Sequence, residues 1–125
     1  MLKVDEAFSG FSVNDLAAAK EFYGKTLGVG LEEIPAGLRL KIGNGILVYP
    51  KSDHVPATYT ILNFPVDNID QALDELTGNG IKFEHYAGIT DHKGIARGLA
   101  QDRGPDIAWF KDPAGNILSI LQQEA

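Results

Sequence analysis

The chain has no cysteine among its 125 residues. Disulfides, thiolate metal sites and cysteine nucleophiles are therefore excluded, because each of them requires a thiol. The sequence also lacks any apolar run close to the roughly 18 residues that a membrane-spanning helix needs. Its first residues show no basic segment followed by an apolar one, which is the pattern of a secretory signal peptide. We therefore expect a cytoplasmic protein that does not associate with a membrane.

Basic residues are also few. Eleven Lys and Arg against 17 Asp and Glu give a formal net charge of −6, and the basic residues are scattered along the chain. A protein with this charge distribution repels a phosphate backbone more than it attracts one, so nucleic acid is not an expected partner. The length and the 44% hydrophobic content suit one domain spanning residues 1–125.

A turn signal near the end of the chain organises the rest of the sequence. Asp112 can hydrogen-bond to its own backbone, Pro113 fixes φ, and Gly115 accepts a positive φ. Strand-forming residues flank this turn on both sides, which predicts a hairpin of residues 106–111 and 116–121.

The first half of the chain predicts the order β, α, β, β, β. Residues 7–13 form the first strand, and Asn14-Asp15 cap a helix that Gly28 ends. Three strands follow at residues 31–34, 38–42 and 46–50. The pair Asn44-Gly45 is typical of a two-residue turn between the last two strands.

The second half predicts the same order. Residues 58–64 form a strand, Asn68 caps a helix, and residues 81–86 form the next strand before the final hairpin. The segment 87–104 has no periodicity and contains four glycines, which is typical of a mobile functional loop. We expect this segment to act as a lid, with His92 and Arg97 as its candidate ligand contacts.

The two halves are an internal repeat. Val13-Asn14-Asp15-Leu16 aligns with Val66-Asp67-Asn68-Ile69, and Phe11 then falls on Phe64. The sequence therefore predicts an α+β fold of two βαβββ modules, at about residues 1–50 and 57–125, joined by a linker at 51–56. Each module leaves one sheet face without a helix, and two such faces together would form a concave cleft suited to a small molecule.

This tandem arrangement, with the Val13-Asn14-Asp15-Leu16 segment early and Phe110-Lys111-Asp112-Pro113-Ala114-Gly115-Asn116 late, resembles the vicinal oxygen chelate superfamily. Its members include glyoxalase I, bleomycin-resistance and fosfomycin-resistance proteins, and extradiol dioxygenases. The resemblance covers nearly the whole chain and implies the glyoxalase/bleomycin-resistance/dioxygenase-like fold. Because many relatives are dimers, it also implies a homodimer.

The resemblance further implies where a metal would bind. Enzymes of the superfamily hold a divalent metal through one residue from the first and one from the last strand of each module, usually His, Gln or Glu. The matching positions here are Phe8, Val48, Ile61 and Ser119. Three hydrocarbon side chains and one hydroxyl cannot replace the hydration shell of such an ion. We therefore expect the metal-free branch of the superfamily, with no metal and no other cofactor.

Strand alternation adds candidate cleft residues. If Val48 faces the cleft, the two-residue turn pairs it with Lys41, and Arg39 and Lys41 then supply a basic floor for an anionic ligand. The alternative is that both basic side chains lie on a solvent face, which a one-residue change in the turn would produce. The predicted cleft residues are Phe8, Arg39, Lys41, Val48, Tyr59, Ile61, Asn63, Phe110 and Ser119.

Two kinds of function agree with these features. The first is a small-molecule-binding protein without the usual metal ligands, which sequesters or senses an amphiphilic anionic compound in its cleft. The alternative is an enzyme of the same superfamily, of the lyase or dioxygenase type, either metal-free with Tyr59, Tyr86 or His92 as acid or base, or with a non-standard metal site. No catalytic residue is assigned, because Ser119 lies in no nucleophile-elbow motif and no base is expected near it.

Overall fold

The computed structural model describes residues 1–125 and divides them into two compact units, Met1–Pro56 and Ala57–Ala125. Each unit contains one four-stranded sheet and one α-helix in the order β, α, β, β, β. The predicted α+β fold of two βαβββ modules is therefore confirmed. None of the helices combines the length and the apolar character that a membrane crossing requires.

Unit 1 begins with a short 3₁₀ turn, Val4–Glu6. Its regular elements are β1 (Ser9–Val13), α1 (Leu16–Glu21), β2 (Leu31–Ile34), β3 (Gly37–Leu40) and β4 (Ile46–Pro50). The strands lie side by side in the order β1-β4-β3-β2, with β1 parallel to β4 and the other neighbours antiparallel.

Local sequence signals set the ends of the helix in unit 1. The Asp15 side chain accepts a hydrogen bond of 3.0 Å from the Ala18 backbone N–H, which confirms the predicted cap. Beyond α1 the chain continues as one π-helical segment, Phe22–Thr26, and Gly28 follows with a φ of +70°. A left-handed glycine at this point ends a helix at little steric cost.

The core of unit 1 lies between α1 and one face of the sheet. The strands contribute alternate residues, and the fully buried side chains include Leu38, Leu40, Val48 and the Tyr23 ring. The Tyr23 ring packs at 5.8 Å from that of Phe11, which belongs to the same sheet face. Burying each large apolar side chain contributes roughly 1.5–3 kcal/mol, and this burial stabilises the packing of α1 on the sheet.

Unit 2 repeats this arrangement. Its elements are β5 (Thr60–Pro65), α2 (Ile69–Gly78), β6 (Ile95–Arg97), β7 (Asp106–Lys111) and β8 (Ile117–Gln122). The strand order is β5-β8-β7-β6, with β5 parallel to β8. The Asn68 side chain accepts from the Gln71 backbone N–H at 3.0 Å and caps α2 as predicted.

The final turn forms as the sequence predicts. One carboxylate oxygen of Asp112 accepts from the backbone N–H groups of Ala114 and Asn116, both at 2.9 Å, and the other accepts from the Asn116 side chain at 3.0 Å. Gly115 adopts a φ of +86°. A single buried aspartate therefore holds the turn between β7 and β8.

One predicted strand and one predicted loop are wrong. Residues 81–86 do not form a strand, and only Phe83 among them makes an isolated β-bridge, to Phe110. The third strand of unit 2 is instead β6, which lies inside the segment 87–104 that the sequence predicts to be a loop. The cause is a set of contacts between residues that are distant in the chain. Ile95 is completely buried, and the Arg97 side chain forms ion pairs with Asp70 of α2. The local sequence pattern does not indicate either contact.

The turn between β3 and β4 is longer than predicted. The paired residues closest to the turn are Leu40 and Ile46, so five residues separate the strands instead of two. The Gly45 backbone N–H donates to the Ile42 carbonyl at 2.8 Å and closes this loop. As a result Arg39 pairs with Leu47, while Val48 pairs with Leu38.

Candidate ligand-binding site

The sheet of unit 1 has a second face, turned away from α1, which we call the distal face of unit 1. Because Leu38 and Val48 pack towards α1, their neighbours Arg39 and Leu47 project from the distal face. A pocket of about 530 Å³ lies on this face, and its lining includes Glu6, Phe8, Ile34, Arg39, Asn44 and Leu47. The pocket therefore combines aromatic and aliphatic side chains with one guanidinium.

The guanidinium of this pocket is already paired. Arg39 and Glu32 lie directly opposite each other on β3 and β2, and Glu32 Oε1 accepts from Arg39 Nε at 2.6 Å and also from Nη2. The two side chains are 52% and 41% exposed. The pair is thus accessible to solvent, and a half-exposed ion pair of this kind contributes about 0.2–1 kcal/mol.

Asn44 positions the aromatic wall of the pocket. Its side-chain amide donates to the carbonyls of Asp5 at 2.7 Å and Ala7 at 3.0 Å. These bonds fasten the N-terminal segment beside the turn between β3 and β4. Phe8 follows directly and is 65% exposed at the pocket. Asn44 therefore anchors the N-terminal segment besides being part of the five-residue turn, which the sequence pattern does not reveal.

Unit 2 also has a distal face, turned away from α2, and it carries hydrogen-bonding groups. Trp109 and Ser119 pair across β7 and β8 on this face. The Ser119 hydroxyl donates to the Asn63 amide oxygen at 2.5 Å, and Trp109 Nε1 donates to the Thr60 hydroxyl at 3.1 Å. The Tyr86 ring contacts that of Trp109 edge-on at 5.6 Å. An amide oxygen is not a base, so this arrangement does not activate Ser119 as a nucleophile.

The other side of unit 2 carries an ion-pair network. Arg97 donates from its two terminal nitrogens to the two Asp70 oxygens at 2.9 and 2.8 Å, and from Nε to Asp91 at 2.9 Å. Lys93 donates to Asp70 at 3.0 Å. The Arg97 guanidinium and then the Lys93 ammonium hold the pKa of Asp70 well below its usual range. This network ties β6 and the residues before it to α2.

The pKa of Asp91 is also lowered. Desolvation acts in the opposite direction, but hydrogen bonds from the Ile95 backbone N–H and from Arg97 outweigh it. These hydrogen bonds hold Arg97 beside α2, and its role as a ligand contact in a lid stays a prediction. His92 is an exposed residue in the turn before β6.

Comparison with known proteins identifies the family. The model described as the Glyoxalase/Bleomycin resistance protein/Dioxygenase superfamily matches residues 7–120. The chain belongs to this superfamily. The resemblance drawn from the sequence motifs is thereby confirmed. No curated protein matches the sequence significantly.

Several solved structures share the fold. A protein assigned to the glyoxalase family from Bacillus anthracis has 25% identity and a TM-score of 0.70, with 94% of this chain and 93% of that chain covered. TnmS3, an antibiotic binding protein from a Streptomyces species, has 21% identity, a TM-score of 0.65 and coverages of 94% and 93%. Lactoylglutathione lyase from Agrobacterium tumefaciens has 20% identity, a TM-score of 0.65 and coverages of 92% and 90%.

The four positions that the resemblance matches to the metal ligands of superfamily enzymes are Phe8, Val48, Ile61 and Ser119. Phe8 and Ile61 are hydrocarbons, and the Ser119 hydroxyl is bonded to Asn63. Val48 faces α1, and its neighbour Leu47 on the distal face offers no ligand atom either. No group of three or more His, Asp or Glu side chains is arranged to hold a metal. Three hydrocarbon side chains and one hydroxyl at these four positions do not fit a divalent ion.

Two predicted cleft residues are wrong. Val48 is fully buried against α1 because the five-residue turn changes its pairing partner. Phe110 is buried on the α2 side of its sheet, where its ring contacts that of Phe83 at 5.5 Å. Its neighbour Trp109 occupies the distal face instead. Strand alternation alone would have identified Trp109 if the turn had been counted correctly.

The structure assigns the other predicted cleft residues to different surroundings. Phe8 and Arg39 meet in the pocket of unit 1, and Asn63 and Ser119 meet on the distal face of unit 2. The exposed Lys41 follows β3, and its methylenes pass over Gly30. Tyr59, which precedes β5, is 70% exposed, and Ile61 lies at an irregularity of that strand.

Proposed function

We propose that the protein binds an amphiphilic small molecule that carries an anionic group, and that it does so without a metal cofactor. The observation that carries this proposal is the apolar pocket with a guanidinium on the distal face of unit 1. Phe8, Ile34 and Leu47 would contact the apolar body of the ligand, and Arg39 would pair with its anion. Most ligand pockets have this combination of apolar walls and a few orienting polar groups.

The similarity to TnmS3, an antibiotic binding protein, supports a binding function. Sequestration or sensing of an anionic compound is the role that we propose for this chain. We propose further that it is a cytoplasmic homodimer. Light scattering during gel filtration measures the mass, and a mass of one chain would contradict the dimer.

A pair of fluorescent probes tests the binding function. The anion 8-anilinonaphthalene-1-sulfonate and the uncharged N-phenyl-1-naphthylamine share the same rings and differ in the sulfonate. We expect both to bind with one site per chain. Arg39→Met should weaken the sulfonate roughly tenfold, towards the low end for hydrogen bonds to charged groups because Arg39 is half-exposed, and should leave the neutral probe unchanged.

Arg103→Met is the matched control, because Arg103 is an exposed arginine in the loop before β7, outside the pocket. It removes the same charge and should change neither dissociation constant. Equal losses for both probes in Arg39→Met would show that Arg39 acts through packing. The absence of saturable binding by either probe would contradict the proposed function.

A further inference from the structure

We propose that Glu32 sets the charge selectivity of this pocket by occupying Arg39 until an anionic ligand displaces it. This inference rests on the proposed function, because it concerns the same guanidinium. Glu32 would then be a specificity-determining residue that competes with the ligand from within the protein. Neutral compounds with the same apolar body would not meet this competition.

The geometry shows which donors are taken. Glu32 Oε1 accepts from both Nε and Nη2 of Arg39, which form one edge of the guanidinium fork. A sulfonate or carboxylate binds an arginine most strongly through two parallel N–H groups of this kind. An anion can use this edge only after Glu32 has left it.

The Arg39 stem is held in place while its head group can exchange partners. Its methylenes pass so close to Gly45 that a Cβ at that position would lie 2.8 Å from Arg39 Cδ. The Arg39 methylenes therefore pack against Gly45, next to Asn44 of the pocket lining. Since both Arg39 and Glu32 are half-exposed, Glu32 can return to water when it is displaced.

The local charge also disfavours an anion. Glu6 lines the same pocket, and its carboxylate lies 3.9 Å from the Lys3 ammonium, so two carboxylates, Glu6 and Glu32, accompany one guanidinium and one ammonium. The charged side chains closest to a bound anion therefore have no net positive charge. Changing Glu32 to Gln removes one negative charge and replaces a charged competitor for Arg39 with a neutral one.

The test measures both probes on Glu32→Gln and on a matched control. Glu33 is the next residue of β2, but it projects towards the α1 side and pairs with Lys20 at 3.2 Å. Glu32→Gln should tighten the binding of 8-anilinonaphthalene-1-sulfonate about two- to fivefold, the factor that corresponds to a half-exposed ion pair. N-phenyl-1-naphthylamine should bind unchanged, and Glu33→Gln should change neither probe.

Three outcomes would overturn the inference. The first is an unchanged sulfonate affinity in Glu32→Gln, and the second is an equal gain in Glu33→Gln, which would show a general effect of net charge. Both can occur while Arg39→Met still weakens the sulfonate, so they leave the proposed function standing. The third is a sulfonate affinity that Arg39→Met does not change, which would end both proposals.

Glu32→Asp, which keeps the charge on a shorter side chain, provides a second variant if circular dichroism shows that Glu32→Gln does not fold.

Discussion

Replacing Asp70 by Asn should lower the free energy of unfolding at pH 7 by about 1 to 2 kcal/mol. The Asp70 carboxylate accepts hydrogen bonds from both terminal nitrogens of Arg97 and from the ammonium of Lys93. Asparagine keeps one acceptor oxygen but directs an N–H₂ group at these donors. The substitution therefore removes the charge and part of the hydrogen bonding that hold β6 against α2.

The magnitude follows from the exposure of the pair. Hydrogen bonds to charged groups contribute about 1.5–3 kcal/mol when they are shielded, whereas exposed ion pairs contribute about 0.2–1 kcal/mol. The Asp70 side chain is 45% exposed, so its bidentate pair falls between these ranges. Asp70 also lies in the first turn of α2, where a negative charge is favoured by the helix dipole.

The loss should depend on pH in a defined direction. The pKa of Asp70 is lower in the folded state than its ordinary value of about 3.9. A lowered carboxyl pKa contributes stability that is fully present above the unfolded-state pKa and is lost as the pH falls towards the folded-state value. The difference between wild type and Asp70→Asn should therefore be constant from about pH 7 to pH 5 and should narrow below about pH 4.

Urea denaturation followed by circular dichroism measures this difference at each pH. Asp74→Asn is the matched control, because Asp74 is on the same helix, is 68% exposed and forms an ion pair with the ammonium of Lys93 at 3.3 Å. It should cost less than about 0.5 kcal/mol. The reasoning is refuted if Asp70→Asn unfolds at the same urea concentration as wild type at pH 7. A loss that is as large at pH 3 as at pH 7 would refute the electrostatic part.

Three further substitutions test the backbone and the turns. Gly37→Ala should lower the free energy of unfolding, measured by urea denaturation, by about 2 to 4 kcal/mol. A Cβ at this position, where φ is +149°, would lie 2.2 Å from the Val48 carbonyl oxygen, and a variant as stable as wild type would contradict this reasoning. Asp112→Ala should cost about 2 to 3 kcal/mol, since it removes the acceptor of the buried turn, and unchanged stability would show that the backbone holds this turn by itself. Asn44→Ala should accelerate amide hydrogen exchange in Val4–Glu6 and leave α2 unaffected; equal exchange in both proteins would mean that Asn44 does not anchor the segment.

The parts of the fold that the sequence predicts correctly are those that depend on neighbouring residues. Asp15 and Asn68 cap their helices through bonds to the residue three positions later, and Asp112 organises a turn of five residues. Such contacts are visible in the sequence because the partners are close in the chain. The two-module repeat follows from these local signals, and the family follows from the repeat.

The parts of the fold that the sequence does not predict depend on contacts between residues that are far apart in the chain. β6 forms because Ile95 enters the core and Arg97 reaches Asp70, which is 27 residues away in the chain. The contact between Glu32 and Arg39 depends on the pairing of β2 with β3. The sequence shows Arg39 as a free cation on an alternating strand, and only the register of the sheet reveals that a carboxylate lies opposite.

Turn length explains why the errors in the candidate site are systematic. In an antiparallel hairpin, an odd number of turn residues pairs odd positions with odd and even with even, whereas an even number mixes them. The observed pairs Arg39 with Leu47 and Trp109 with Ser119 follow the odd rule in both modules. A two-residue turn moves each partner to the other face of its strand, which is why the sequence predicts Val48 in place of Leu47 on the distal face. The hydrophobic pattern does not correct such an error on its own, because β4, β7 and β8 carry apolar residues on both faces. The number of residues in the turn therefore decides which face of these strands a ligand meets.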